Sequence, residues 1–192
     1  MAGQQTTVVL ASPVGLPGQL VDIQENDIVS AACTTTVLPG TYVELTLAAD
    51  GKTFVAKTPN STVGTLADGG VAVYFPTSDP RQLPALGASS SDITGTGYPV
   101  GGTVAVLRRG RIFVSIDTAT TAGSLSAPWA VNANVQHPSS TAASATNTNG
   151  YFTAVAANTT AGTETTAAPG CYFERVVASG LAILAVNKPK SA

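Results

Sequence analysis

Apolar and polar residues alternate in short runs along this chain, and glycines and prolines bound the runs. From Tyr42 to Leu47, one phase holds Val43, Leu45 and Leu47 and the other holds Tyr42, Glu44 and Thr46. A period of two puts the two sets on opposite faces of a strand. That run passes through Ala49-Asp50-Gly51 into Lys52 to Lys57. Asp-Gly marks a tight hairpin, because glycine accepts positive φ without steric cost. A second hairpin is expected from Thr103–Leu107 through Arg108-Arg109-Gly110 into Arg111–Ile116, where Ile112, Val114 and Ile116 share a face. A third runs from Tyr172–Val177 through Ala178-Ser179-Gly180 into Leu181–Val186. This last strand is apolar in both phases, which predicts a central strand covered on both sides.

The rest of the chain supports the same reading. Thr, Val, Ala and Gly dominate, and a proline or glycine recurs every ten residues or so. β-Branched side chains pack well on a pleated surface, so the pattern predicts an all-β fold. Two stretches differ. Residues 1–18 carry Pro13 and Pro17 and read as an extended N-terminal arm ahead of a single β domain, 19–192. Residues 118–170 are rich in Thr, Ala, Ser, Asn and Gly and read as a loop-rich insertion. So many small polar residues bury little, which points to a surface excursion or to a loop that orders against a neighbour. Short strands are expected inside it at Ala130–Val135 and Tyr151–Val155. Pro39-Gly40-Thr41-Tyr42-Val43-Glu44 is echoed by Pro169-Gly170-Cys171-Tyr172-Phe173-Glu174. The echo marks either a duplicated β unit or two independent strand starts.

Charge changes the picture of partners. Charged residues are only 10% of the chain, against about a quarter in a typical domain. A surface so poor in charge suits a protein covered by other subunits. The net charge of −2 disfavours nucleic acid, which calls for a basic face. The N-terminus lacks a secretory pattern, and no run approaches the roughly 20 apolar residues of a spanning helix. Synthesis in the cytoplasm and no membrane partner are therefore expected. Cys33 and Cys171 form no ligand or disulfide pattern and are expected to be unpaired thiols. His137 is the only histidine, and it lies in the small-residue tract. Nucleophilic catalysis needs a base beside its nucleophile, and the acids are scattered singly. No catalytic residue, cofactor or metal is expected. Two features remain. Arg108, Arg109 and Arg111 would gather three guanidiniums at a hairpin tip, either as a solvated end or as a clamp for a partner's carboxylates. Trp129 is either a satellite core anchor or an interface hot spot.

Several segments together resemble a known family. They are Pro17 to Asp22 (PGQLVD), the PGTYV start of the first hairpin, Gly97 to Val114 (GYPVGGTVAVLRRGRIFV) and Ala161 to Asn187. In order and texture these are similar to the structural cement, or capsid decoration, proteins of tailed phages. The resemblance implies a small β-barrel or β-sandwich. It also implies a non-enzymatic virion protein on the capsid exterior that stabilises the shell by bridging neighbouring major capsid subunits. The long Ser/Thr/Ala tract at 139–149 departs from the family pattern. Self-association is expected too, as a homotrimer in preference to a dimer, because shell proteins meet around symmetry axes. Candidate contacts are the apolar arm residues Val8, Val9, Leu10, Val14 and Leu16, together with Arg108, Arg109, Arg111 and Trp129. A tail, fibre or head-closure component and a carbohydrate-binding sandwich are the alternative classes.

Overall fold

The computed structural model describes residues 15–22, 26–59, 66, 68–74, 97–117, 120, 132–136, 150–154 and 165–187. All regular structure among them is β. The strands are β1 (Asp27–Cys33), β2 (Tyr42–Leu47), β3 (Phe54–Lys57), β4 (Gly69–Ala72), β5 (Thr103–Ser115), β6 (Asn132–Gln136), β7 (Phe152–Thr153), β8 (Thr165–Ala178) and β9 (Leu181–Asn187). They hydrogen-bond in the order β1-β3-β2-β4-β5-β9-β8-β6-β7, and β1 also pairs with β5. That extra pairing closes β1, β3, β2, β4 and β5 into a five-stranded barrel. The barrel form of the expected fold is therefore the one adopted.

Period-two alternation builds two cores. Ala31, Cys33, Val43, Leu45, Ala56, Ala72, Val104 and Val106 fill the barrel. The residues between them, Tyr42, Val71, Val73 and Leu107, face outward and meet a second layer. That layer is the sheet β5-β9-β8-β6-β7, which contributes Ile112, Val114, Ala133, Val135, Phe152, Cys171, Phe173, Ala182, Leu184 and Val186. Tyr42 and Phe152 pack edge to face with ring centroids 6.2 Å apart. β2 is thus buried on both faces at its start, so its polar phase is not a solvent face. Glu44, only 4% exposed, is held by Lys57 at 3.0 Å.

The first and third hairpins form as expected. β2 pairs with β3 around Asp50, and β8 pairs with β9 around Ser179-Gly180. β9 is flanked by β5 and β8, and its residues from Leu181 to Val186 are buried. The expected strands in the small-residue region appear as β6 and β7, which extend the sheet beyond β8.

The second hairpin does not form. Thr103 to Ser115 is one continuous strand of 13 residues. Its turn signal marks a β-bulge instead. Asp27 pairs with Arg109 and Ile28 with Leu107, so Arg108 is the extra residue on β5. Gly110 follows with φ 135°, and a Cβ there would lie 2.1 Å from Asn26 Oδ1. Glycine is required on both counts. The bulge shifts the phase of alternation by one. Before it, Val104 and Val106 face the barrel interior; after it, Ile112 and Val114 face the shared core. One strand thereby serves the barrel with its first half and the sheet with its second. The Pro-Gly echo is real in the backbone, with φ 74° at Gly40 and 73° at Gly170. Gly40 lies in a turn ahead of β2, however, whereas Gly170 lies within β8.

Candidate functional site

The three arginines do not share a hairpin tip. Arg108, displaced by the bulge, has its side chain 7% exposed and donates to Asp68 Oδ2 at 3.0 Å. Burying a guanidinium is costly unless a carboxylate meets it, so this pair is part of the fold. Arg111 lies past the phase shift. Its Nε donates to Glu174 Oε2 at 2.8 Å and its NH2 to Glu174 Oε1 at 2.5 Å, a two-point contact. Its NH1 reaches Asp22 Oδ2 at 3.1 Å. The bonds from Glu174 push the Arg111 pKa above its already high ordinary value. The carboxylates that these two arginines clamp belong to the chain itself. Arg109 is exposed, in register with Asp27 on one side and Asn187 on the other.

Arg111 also holds the root of the N-terminal arm. Residues 18–21 run antiparallel to β5. Gly18 N–H donates to Phe113 O at 2.7 Å, Phe113 N–H to Gln19 O at 2.9 Å and Val21 N–H to Arg111 O at 2.9 Å. Leu20 bridges Ile112 and packs on the shared core. The Pro17-Gly18 turn, closed by Gln19 N–H to Leu16 O at 2.9 Å, reverses the chain just ahead of this strap. Leu16 sits in that turn, 39% exposed. The PGQLVD segment is therefore a turn followed by a short added strand. Its pattern is too short for periodicity to reveal, and only its Pro-Gly pair announces it. Val8, Val9, Leu10, Val14, Trp129 and His137 lie outside the described residues.

Among the described residues the largest apolar exposures are Leu47, 58% exposed, and Val100, 65% exposed. Leu47 pairs with Phe54, and Phe54 pairs with Ala31. Residues level across neighbouring strands point to the same face, so Leu47 projects on the interior side of the barrel at its rim. Phe54 and Val29 are half-buried against the barrel core. Alternation predicts Leu47's face, but its exposure depends on where β4 begins, at the level of Glu44, which no local pattern encodes. Elsewhere, Asp117 accepts from Thr120 N–H at 2.9 Å and from Thr153 Oγ1 at 2.8 Å, tying the chain after β5 to β7. This carboxylate is satisfied by its own neighbours. Among the described residues no group of three or more His, Cys, Asp or Glu side chains could hold a metal ion, and no helix is long and apolar enough to cross a membrane.

Comparison with known proteins adds the family. No curated protein sequence matches the chain. Among solved structures, one chain of the capsid of Myoviridae Phage XM1 has a similar fold, with a TM-score of 0.62 at 14% identity. The match covers 98% of this chain and 99% of that one. The family model described as structural cement protein (E217 gp24/Pam3 gp6) matches residues 4–187. With a match that spans both the barrel and the sheet, the chain belongs to the structural cement protein family of phages.

Proposed function

We propose that this chain binds the outer surface of an assembled phage capsid and stabilises it by bridging neighbouring major capsid subunits. The observation that supports this reading is the family match from residue 4 to residue 187. The physical character agrees. A barrel and a sheet built on two apolar cores give a compact body, and a surface with few charges suits contact with other subunits. Binding to the assembled shell alone stabilises that shell by mass action, and many weak copies add up around one particle.

The proposed contacts are the apolar arm residues Val8, Val9, Leu10 and Val14, with Leu16 at the arm's root, Arg109 on the exposed β5 bulge, and Trp129. Arg108 and Arg111 serve the body that presents them. A homotrimer around a local three-fold axis is the proposed assembly; nucleic acid and membrane are not proposed partners. The test uses capsids that lack the protein. Adding the purified chain should raise the temperature at which these particles release their genome, and electron cryo-microscopy should show density outside the shell at subunit junctions. Unchanged heat release together with bare capsids would refute the proposal.

A further inference from the structure

We propose that Asp68-Gly69 is a site of spontaneous modification, where the fold sets the Gly69 nitrogen against the Asp68 carboxyl group and so favours isomerisation of Asp68 to isoaspartate. The inference stands apart from the capsid reading. The chain has two Asp-Gly steps, Asp50-Gly51 and Asp68-Gly69, and each lies in the tripeptide Ala-Asp-Gly. Glycine has no Cβ to shield its peptide nitrogen, so both steps are chemically labile. Their immediate sequence is the same, and the fold sets them apart.

At Asp50 the reacting groups are turned away from each other. Its carboxylate accepts from the N–H groups of Lys52 and Thr53, both at 2.9 Å, and from the Thr53 hydroxyl at 2.6 Å. Gly51 N–H donates instead to Ala48 O at 2.9 Å. At Asp68 the same groups are in contact, for Gly69 N–H donates to Asp68 Oδ1 at 2.9 Å. The β-bulge accounts for the difference. Among the described residues β4 pairs with β5 at Val71 and Ala72 alone, and the ladder stops where Arg108 bulges out. Gly69 lies beyond the last pair, and its N–H takes the neighbouring carboxylate as acceptor. Asp68 Oδ2 meanwhile accepts from Arg108 NH2 at 3.0 Å, which fixes the carboxyl group beside the nitrogen. The Asp68 side chain is 56% exposed, so water reaches it.

The fold also requires both residues of this labile pair. A Cβ at position 69 would lie 2.0 Å from Val43 O, so only glycine fits there. Asp68 supplies a carboxylate to the buried Arg108 guanidinium. The reaction needs water alone. The Gly69 nitrogen bonds to Asp68 Cγ, and one carboxyl oxygen leaves as water with the N–H proton and a proton from solvent. The product is a five-membered succinimide. Water then adds to the ring carbonyl that was the Asp68 main-chain carbonyl, and that C–N bond breaks. The backbone now runs through the Asp68 side chain, and the freed main-chain carboxylate returns a proton to solvent. Holding the two groups in contact favours such a unimolecular step. Isoaspartate adds a methylene to the backbone and displaces the carboxylate from Arg108.

The experiment ages the native full-length chain at neutral pH and physiological temperature. Peptide mapping with electron-based fragmentation then separates isoaspartate from aspartate at each step. Asp68 should convert at least about threefold more than Asp50, because only there do the reacting groups touch. In denaturant the two steps should convert alike. Equal conversion in native protein, or more at Asp50, would overturn the proposal. So would an excess at Asp68 that persists undiminished in denaturant, since the fold would then not be its cause. As a second measurement, Thr53→Val at the exposed turn removes the hydroxyl that Asp50 accepts from. It should raise conversion at Asp50 several-fold and leave Asp68 at the wild-type level. Unchanged conversion at Asp50 counts against the proposal, because the turn bonds would then not be what distinguishes the two steps.

Discussion

At the residue scale, single side chains are decided by which of the two cores they enter. Ile183 is 1% exposed on a strand flanked on both sides, so Ile183→Asp places a carboxylate where water cannot reach it. The cost of several kcal/mol is comparable with the whole stability of a domain. The expected outcome is insoluble or unfolded protein by circular dichroism; a soluble variant with a cooperative melt would contradict the central placement of β9. Asp50 illustrates the opposite case, an exposed residue with a local role. Its carboxylate accepts from Thr53 Oγ1 at 2.6 Å and from the backbone N–H groups of Thr53 and Lys52, both at 2.9 Å. The Thr53 hydroxyl first, and then these N–H groups, lower its pKa to about 2. A depressed carboxylate pKa contributes stability that is fully present above the unfolded value, ~4, and is lost as pH falls through the folded value. NMR titration should therefore show Asp50 protonating near pH 2 and the hairpin turn loosening only below about pH 4. An Asp50 midpoint near 4 would show that the turn bonds do not form in solution.

At the element scale, β5 is the strand on which the architecture turns. Its bulge at Arg108 and the φ 135° glycine after it let one continuous strand line the barrel and then enter the sheet. Its sequence resembles a hairpin because bulges and turns draw on the same residues, namely a glycine beside polar neighbours. Alternation on each side of the bulge is regular in both cases, so only the pairing partners distinguish the two. Those partners lie far along the chain, with β1 before the bulge and β9 after it. The strap at residues 18–22 covers β5 beyond the bulge and offers a direct test. Deleting residues 2–14 leaves the strap in place. Relative to that variant, deleting residues 2–22 removes four backbone hydrogen bonds to the body and the partly buried Leu20, a loss of about 3–5 kcal/mol. Urea unfolding of the two truncations measures the difference; equal midpoints would mean that the strap contributes nothing to the body.

At the scale of the whole molecule, two cores share one sheet system, and the cysteines report on them separately. Cys33 lies in the barrel core and Cys171 in the core between barrel and sheet. Neither forms a disulfide, and burial pushes the Cys33 thiol above its ordinary pKa. Thiol reagents should label neither site at neutral pH in native protein and both sites in denaturant without reductant. Fewer than two thiols in denaturant would reveal a bond that the separate cores forbid. Shared cores also make separate melting of barrel and sheet unexpected, since Tyr42 and Leu107 of the barrel are buried by side chains of the sheet.

The chain's own pattern determined the β class, two of the three expected hairpins, the buried place of Leu181–Val186 and the short strands β6 and β7. Each of these rests on period-two alternation or on a turn residue, and both are local properties that a few neighbouring residues encode. Tertiary structure alone decided the rest. Barrel closure depends on β1 meeting both β3 and β5, pairings between residues more than 20 positions apart. The fates of Arg108 and Arg111 depend on Asp68 and Glu174, which lie 40 and 63 residues away. A charged side chain reads alike in sequence whether it meets a partner protein or its own chain, because the carboxylate that claims it arrives only when the chain has folded.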